Sequence, residues 1–191
     1  SRRRRHRAQW ADSASRLRTQ YEYETFRQGN VQYGDLTQKR EYLPQGAGWA
    51  SEPYRTTYTI YYPNTTDWIL DRPGQVHLYE GCYGCVTEVV KGQTFNYYDQ
   101  TSSFDTPPSA GLLRMQTQGL GSAWQTVQYE YWSNGNLRRV VDGNNHATET
   151  YYDSAFQAYP VCAKNALGQQ STIRYYGVPG SNEAGCTTTS G

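Results

Sequence analysis

A chain of 191 residues, with 18 Lys and Arg against 17 Asp and Glu, is long enough for one sizeable core or for part of a larger repeat array. Its mean hydropathy of −0.89 is as low as that of disordered chains. Its 19 Tyr and 5 Trp exclude disorder as the reading, because unfolded segments are poor in aromatics. No run approaches the ~20 apolar residues of a membrane-spanning helix, and short aromatic or β-branched runs between Gly-rich turns point to an all-β chain.

The net charge of +1 is unevenly spread. Arg2, Arg3, Arg4, Arg5 and Arg7 crowd the start, so the remainder is net acidic. Residues 1–18 read as a basic tail or linker; an Arg-x-x-Arg processing site and a polyanion-binding arm are the competing readings. Without a basic face on the folded part, nucleic acid is not expected as a partner. The chain opens on Ser1 with no leader pattern and is read as a segment of a longer protein.

From residue 19 the expected elements are strands. Thr19 to Tyr23 alternates, and Tyr21-Glu-Tyr23 with Gly29-Asn30-Val31 foreshadows a pattern that returns later. Asp35 to Tyr42 reads as the return strand and Leu43 to Gly48 as a loop. Tyr54 to Tyr62 is almost pure β-former, ended by Pro63-Asn-Thr-Thr66. Asn64-Thr65-Thr66 is a candidate glycosylation sequon, relevant only in a eukaryotic source. Gln75 to Tyr79 and Val86 to Val90 flank a hairpin tip at Cys82 and Cys85. Thr94 to Asp99 ends in Tyr-Asp, and Gln100 to Gly111 is a Ser/Pro-rich connection. Leu112 to Gln118 leads into the Gly119-Leu-Gly121 turn.

Val127 to Tyr152 is the most regular stretch. Tyr129 and Tyr131 share one face of a strand, and Ser133-Asn-Gly-Asn136 follows with the strongest short-range hairpin signal. Leu137 to Val141 is the second strand, Asp142-Gly-Asn-Asn145 the second turn, and Ala147 to Tyr152 the third strand. Asn165-Ala-Leu-Gly168-Gln169 ahead of Tyr175-Tyr176 repeats the rhythm. Tyr131 to Tyr152 spans 21 residues and Tyr152 to Tyr176 spans 24, a loose period of the kind that marks repeat architectures. Residues after Gly177 are small and polar and read as a C-terminal loop or frayed end (178–191).

The spacing Tyr129-x-Tyr131-x3-Gly135-Asn136-Leu137-x2-Val140-x-Asp142, followed by Thr148-x2-Tyr151-Tyr152-Asp153, resembles the YD repeat. That repeat builds Rhs proteins, the B and C subunits of Tc toxins, wall-associated bacterial proteins and teneurins. Trp68-Ile-Leu-Asp-Arg-Pro73 is similar to an element that often precedes such repeats. Trp132 and Asn145 depart from the pattern, standing where it carries Asp and Gly. The resemblance implies consecutive antiparallel β-hairpins over 19–177, winding into a spiral sheet or part of a shell. It also implies a non-enzymatic structural role in a secreted or cell-surface protein. Partners would be neighbouring repeats or identical subunits, with a toxin domain enclosed or displayed. An extracellular adhesin, glycan-binding module or fibre is the alternative.

Four cysteines in a Tyr-rich β chain suit two disulfides among Cys82, Cys85, Cys162 and Cys186, in an oxidising compartment. One zinc held by all four thiolates competes, but only Cys82-x2-Cys85 has knuckle spacing. A Cys162–Cys186 bond would close a loop of about two dozen residues, worth ~3 kcal/mol. No metal or cofactor is expected. His6, His77 and His146 lie in the tail, in a strand and beside a turn, with no motif placing a Ser or Cys against them, so no catalytic residue is assigned. Asp99, Asp142 and Asp153 fall at strand ends, where carboxylates cap turn amides.

Overall fold

A computed structural model describes residues 17–23, 34–45, 48–85, 88–181 and 185–186. The N-terminal arginines and the Gly29-Asn30 turn lie outside them. The described residues contain no helix; the protein is all-β. Its strands are β1 (Arg18–Tyr23), β2 (Leu36–Tyr42), β3 (Pro44–Gln45), β4 (Gly48–Trp49), β5 (Arg55–Tyr61), β6 (Pro73–Glu80) and β7 (Val89–Tyr98). They continue as β8 (Leu113–Leu120), β9 (Ala123–Tyr131), β10 (Leu137–Val141), β11 (Ala147–Tyr152), β12 (Pro160–Lys164) and β13 (Gln170–Thr172). Eleven form one sheet in the order β1-β2-β5-β6-β7-β8-β9-β10-β11-β12-β13. Within that sheet the strands keep their chain order, with β3 and β4 set aside between β2 and β5. The expected loop 43–48 instead begins a small side hairpin, β3–β4, with Pro44 opposite Trp49.

The chain divides into two compact units, 1–111 with 117–124, and 112–116 with 125–191. In the first, β5, β6 and β7 put Tyr58, His77 and Gln93 opposite one another on one face, next to Ile60, Gln75 and Phe95. β7 runs unbroken through Lys91-Gly-Gln93, where the sequence suggested two strands with a gap. In β6, Gly74 is required by close approach. A Cβ there would strike the Tyr62 ring and come within 2.7 Å of the Phe104 carbonyl. Glu41 is buried and paired with Lys39 at 3.2 Å and Arg55 at 2.5 Å. The Arg55 hydrogen bond, aided by Lys39, outweighs burial and holds the Glu41 carboxyl below its ordinary range.

The second unit is the expected meander. Tyr129 faces Val140 and Tyr131 faces Leu137 across β9–β10, with a bulge that turns Arg138 onto the Trp132 ring, 4.8 Å from its centroid. β11 pairs with β12 so that Tyr151 lies opposite Cys162. Tyr151, Cys162 and Cys186 form the buried core, with Trp132 packed against it. The residues after Gly177 are irregular but not frayed where described. Ser181 and Cys186 are buried, and the Ser154 N–H bonds the Gly180 carbonyl at 3.0 Å. Among the described residues no Leu, Ile, Phe or Trp is fully enclosed, so cross-strand pairs rather than a thick aliphatic core hold the sheet.

Candidate functional site

Three hairpin turns of the second unit share one geometry. In Trp132–Asn136, the Trp132 N–H bonds the Asn136 carbonyl at 2.8 Å and the Gly135 N–H bonds the Trp132 carbonyl at 2.9 Å. Asp142–His146 repeats both bonds at 3.0 Å, and Asn165–Gln169 repeats them at 3.0 and 2.9 Å. Each is a three-residue loop whose last residue is left-handed: Gly135 at φ 88°, Asn145 at 66° and Gly168 at 77°. Asn145 therefore occupies the glycine position of the pattern, as the residue after glycine most tolerant of it. In the Asn-Gly turn only Gly135 has positive φ. The turn is thus the bulged three-residue type, not the two-residue type its dipeptide suggests.

The side chain that opens two of these turns collects amides. Asp142 Oδ1 accepts the N–H groups of Asn144 and His146 at 2.9 and 2.8 Å, and Asn165 Oδ1 accepts those of Leu167 and Gln169, both at 3.0 Å. The His146 amide is the largest influence holding the Asp142 carboxyl below its ordinary range.

The two Tyr-Asp endings carry a larger version of the same device. Asp153 is 1% exposed. Its Oδ1 accepts the N–H groups of Ala158 and Tyr159, both at 2.9 Å, and its Oδ2 those of Ala155 and Phe156 at 3.2 and 2.5 Å. Burial pushes this carboxyl upward, but the surrounding amides prevail and hold it at about 2. Asp99, itself left-handed at φ 61°, gathers the Ser109, Ala110 and Gly111 amides on Oδ2 at 2.7, 2.9 and 3.2 Å. Tyr152 and Tyr98 precede these carboxylates at the ends of β11 and β7.

Between the Trp132 turn and the Asp153 loop lies a cleft of about 330 Å³ lined by Trp132, Ser133, Asn134, Tyr152, Asp153, Ser154 and Gln157. Asn134 and Asn136 donate to the Gln157 carbonyl across it, and Gln157 is left-handed at φ 52°. The Asp153 oxygens already hold four amides and the Trp132 ring is covered by Arg138. The cleft therefore presents hydroxyl and amide groups and the Tyr152 side chain, with its one carboxylate already engaged by amides.

The cysteines form two local bridges, Cys82–Cys85 and Cys162–Cys186, with Cα separations of 5.7 and 6.3 Å. Every sulfur is partnered within its pair, so the four-thiolate arrangement is not formed. Tyr83, between the first pair, stacks on Tyr58 at 4.2 Å and packs on Tyr79 at 5.3 Å. Burial, followed by Glu88, pushes the Tyr79 hydroxyl up to about 12. Glu52 reaches this tip because the ladder continues beyond β5 and β6: the Gly81 N–H bonds the Tyr54 carbonyl at 2.9 Å and Thr56 Oγ1 bonds the Gly81 carbonyl at 2.7 Å. No signal in the sequence places Glu52 beside cysteines thirty positions away.

Two repeat-motif and modification candidates sit differently from the rest. Tyr176 does not end a strand: it is fully exposed in a turn after β13 has stopped at Thr172, and Gly177 at φ 72° turns the chain. Asn64 Nδ2 donates to Asp67 Oδ2 and to the Pro108 carbonyl, both at 2.8 Å, so a glycan on this nitrogen would displace one of those bonds. No family model matches the chain, and no curated protein matches it.

Proposed function

We propose that this chain is a non-enzymatic structural segment of a secreted or cell-surface YD-repeat protein of the Rhs type. Its hairpin sheet would form part of a shell or scaffold that encloses or displays a toxin or partner domain. The observation that carries the reading is the recurrence of one turn geometry at Trp132–Asn136, Asp142–His146 and Asn165–Gln169 in a continuous meander. Such a unit propagates by adding hairpins, each covering the edge left by the last. Three carboxylates at strand ends, Asp99, Asp142 and Asp153, are committed to backbone amides. The two disulfides suit an oxidising, extracellular setting. Neighbouring repeats of the parent chain, or identical subunits, are the expected partners.

Negative-stain electron microscopy of the native particle containing this chain tests the proposal. A closed hollow shell supports it and directs the search to the enclosed domain. An extended rod or fibre overturns the shell and leaves the adhesin or fibre reading, for which exposed aromatic side chains such as Trp68, Phe156 and Tyr176, at 73%, 63% and 102%, offer contact surface.

A further inference from the structure

The Cys82–Cys85 tip stands beside an exposed carboxylate, that of Glu52. Both sulfurs and a carboxylate oxygen of Glu52 lie within 4.8 Å of one another. A disulfide offers a carboxylate no proton and no positive charge. Glu52 is exposed to solvent, and among the described residues it has no ion-pair or hydrogen-bond partner. A second acid, Glu88, is fixed nearby, its Oε2 accepting the Gly84 N–H at 2.6 Å. Among the described residues, the tip thus gathers two negative side chains and two sulfurs with no cation paired to Glu52.

We propose that this tip is a redox-gated site for a thiophilic divalent cation of the Zn²⁺ class, with Cys82, Cys85 and Glu52 as its ligands. A dithiol reductant supplies two electrons and two protons. The Cys82–Cys85 bond opens to two thiols, and the reductant closes to its own disulfide. On binding the cation, both thiols release their protons to solvent and form metal–sulfur bonds, while Glu52 contributes one oxygen. The backbone is suited to both states. A Cα separation of 5.7 Å lies within the disulfide range, and Cys-x2-Cys is also knuckle spacing for zinc. Positive φ at Gly81 (84°) and Gly84 (78°) forms the tight turn that brings the sulfurs to one side. The two cysteines are not equally open, Cys82 being 8% exposed and Cys85 more accessible. A reductant would therefore attack Cys85, and the buried Cys82 thiolate would gain most from a neutralising cation. Three protein ligands leave a fourth position for water. Glu88 adds negative potential from outside the ligand set.

The test uses the intact chain, reduced with excess dithiol under anaerobic conditions, freed of reductant and titrated with Co²⁺. The expected result is one thiolate-to-cobalt charge-transfer band per chain, with tetrahedral d–d absorption, bleached by Zn²⁺ and absent from the oxidised chain. Cys162→Ser/Cys186→Ser keeps the band, Cys82→Ser abolishes it, and Glu52→Gln weakens Co²⁺ binding by at least about tenfold. If the double variant does not fold, alkylation of the reduced wild-type chain with and without Zn²⁺ replaces it. Protection of Cys82 and Cys85, but not of Cys162 and Cys186, supports the site. No band in the reduced chain, a band that survives in Cys82→Ser, or Glu52→Gln binding as tightly as wild type overturns it.

Discussion

Asp153 is the residue on which the second unit's longest connection depends, and its removal has a calculable effect. Asp153→Ala strips the acceptor from four backbone N–H groups, those of Ala155, Phe156, Ala158 and Tyr159. A hydrogen bond to a charged group contributes about 1.5–3 kcal/mol, and the four are not additive because they share one carboxylate. The loop amides belong to exposed residues and regain water when released, whereas the carboxylate site itself is enclosed. A loss of about 3 kcal/mol follows. Asp153→Asn keeps the Oδ1 pair if its amide nitrogen takes the Oδ2 position. It then sets N–H against the Ala155 and Phe156 donors, for a loss of about 2 kcal/mol.

The same carboxylate predicts acid sensitivity. A folded value of about 2 against an ordinary 3.8 means that the unfolded chain takes up the proton first as pH falls. Its stabilisation is complete above the unfolded value and is lost as pH drops from about 4 through 2. The shift corresponds to about 2 kcal/mol, discounted to about 1–2 because water reaches the surrounding loop. Urea denaturation at pH 7 and at steps down to pH 2 measures both effects, and hydrogen exchange of amides 155–159 localises them. The reasoning is refuted if Asp153→Ala unfolds within about 0.5 kcal/mol of wild type. It also fails if Asp153→Asn retains the wild-type slope between pH 4 and 2.

Other perturbations test other parts of the fold. Gly135→Ala or Gly168→Ala should each cost about 1 kcal/mol by denaturant melts, from backbone strain alone, because no atom lies within 4 Å of the added Cβ. Asn145→Gly should be neutral within about 0.5 kcal/mol and Asn145→Ala should lose about 1. Removing the Cys162–Cys186 bridge as a double Ala variant should cost about 3.5 kcal/mol from a 24-residue separation, read as a lowered urea midpoint. His77 lies between Gln75 Oε1 at 3.0 Å and Gln93 Nε2 at 3.1 Å. Burial, opposed in part by Glu88, lowers its folded pKa below 6.5. The unfolded chain therefore protonates first, and stability present above pH 6.5 should decline as pH falls below it. His77→Gln should flatten that decline in midpoints measured from pH 7.5 to 5; an unchanged slope would assign the effect to other groups.

The strands from Val127 to Tyr152 were legible because alternation and turn chemistry agree there: Tyr129 and Tyr131 share a face, and Asn-Gly marks the reversal. The turn type was not legible, since Asn134-Gly135 permits both hairpin classes and the closing bond from Trp132 to Asn136 decides between them. Gly92 hid the continuity of β7, because a glycine that weakens a strand locally is tolerated where Leu120 and the Gly119 carbonyl pack over it. The C-terminal residues looked frayed from their composition, yet small side chains such as Ser181 are what fit a tightly covered position. Glu52 could not be found at all, because β-pairing, not local sequence, carries it to Cys82.

Asp99 and Asp153 show why a strand ending in Tyr-Asp can be followed by connections of different length. Asp153 collects amides two to six residues ahead, while Asp99 collects them ten to twelve residues ahead, across the Ser/Pro-rich segment. The carboxylate has enough acceptor directions to gather several N–H groups wherever the connection returns. Ordering a longer loop adds entropy cost only slowly with length. A strand end fixed in this way constrains the sheet and leaves the loop free to vary. For a scaffold this separation matters: the ladder sets the spacing of hairpins, and insertions between them need only return their backbone amides to the waiting aspartate. Lengthening the Gln100–Pro108 segment by several Gly and Ser residues should therefore leave the urea midpoint within about 1 kcal/mol. Asp99→Ala in that lengthened chain should cost at least as much as in the native one, because a longer loop without its anchor has more freedom to lose.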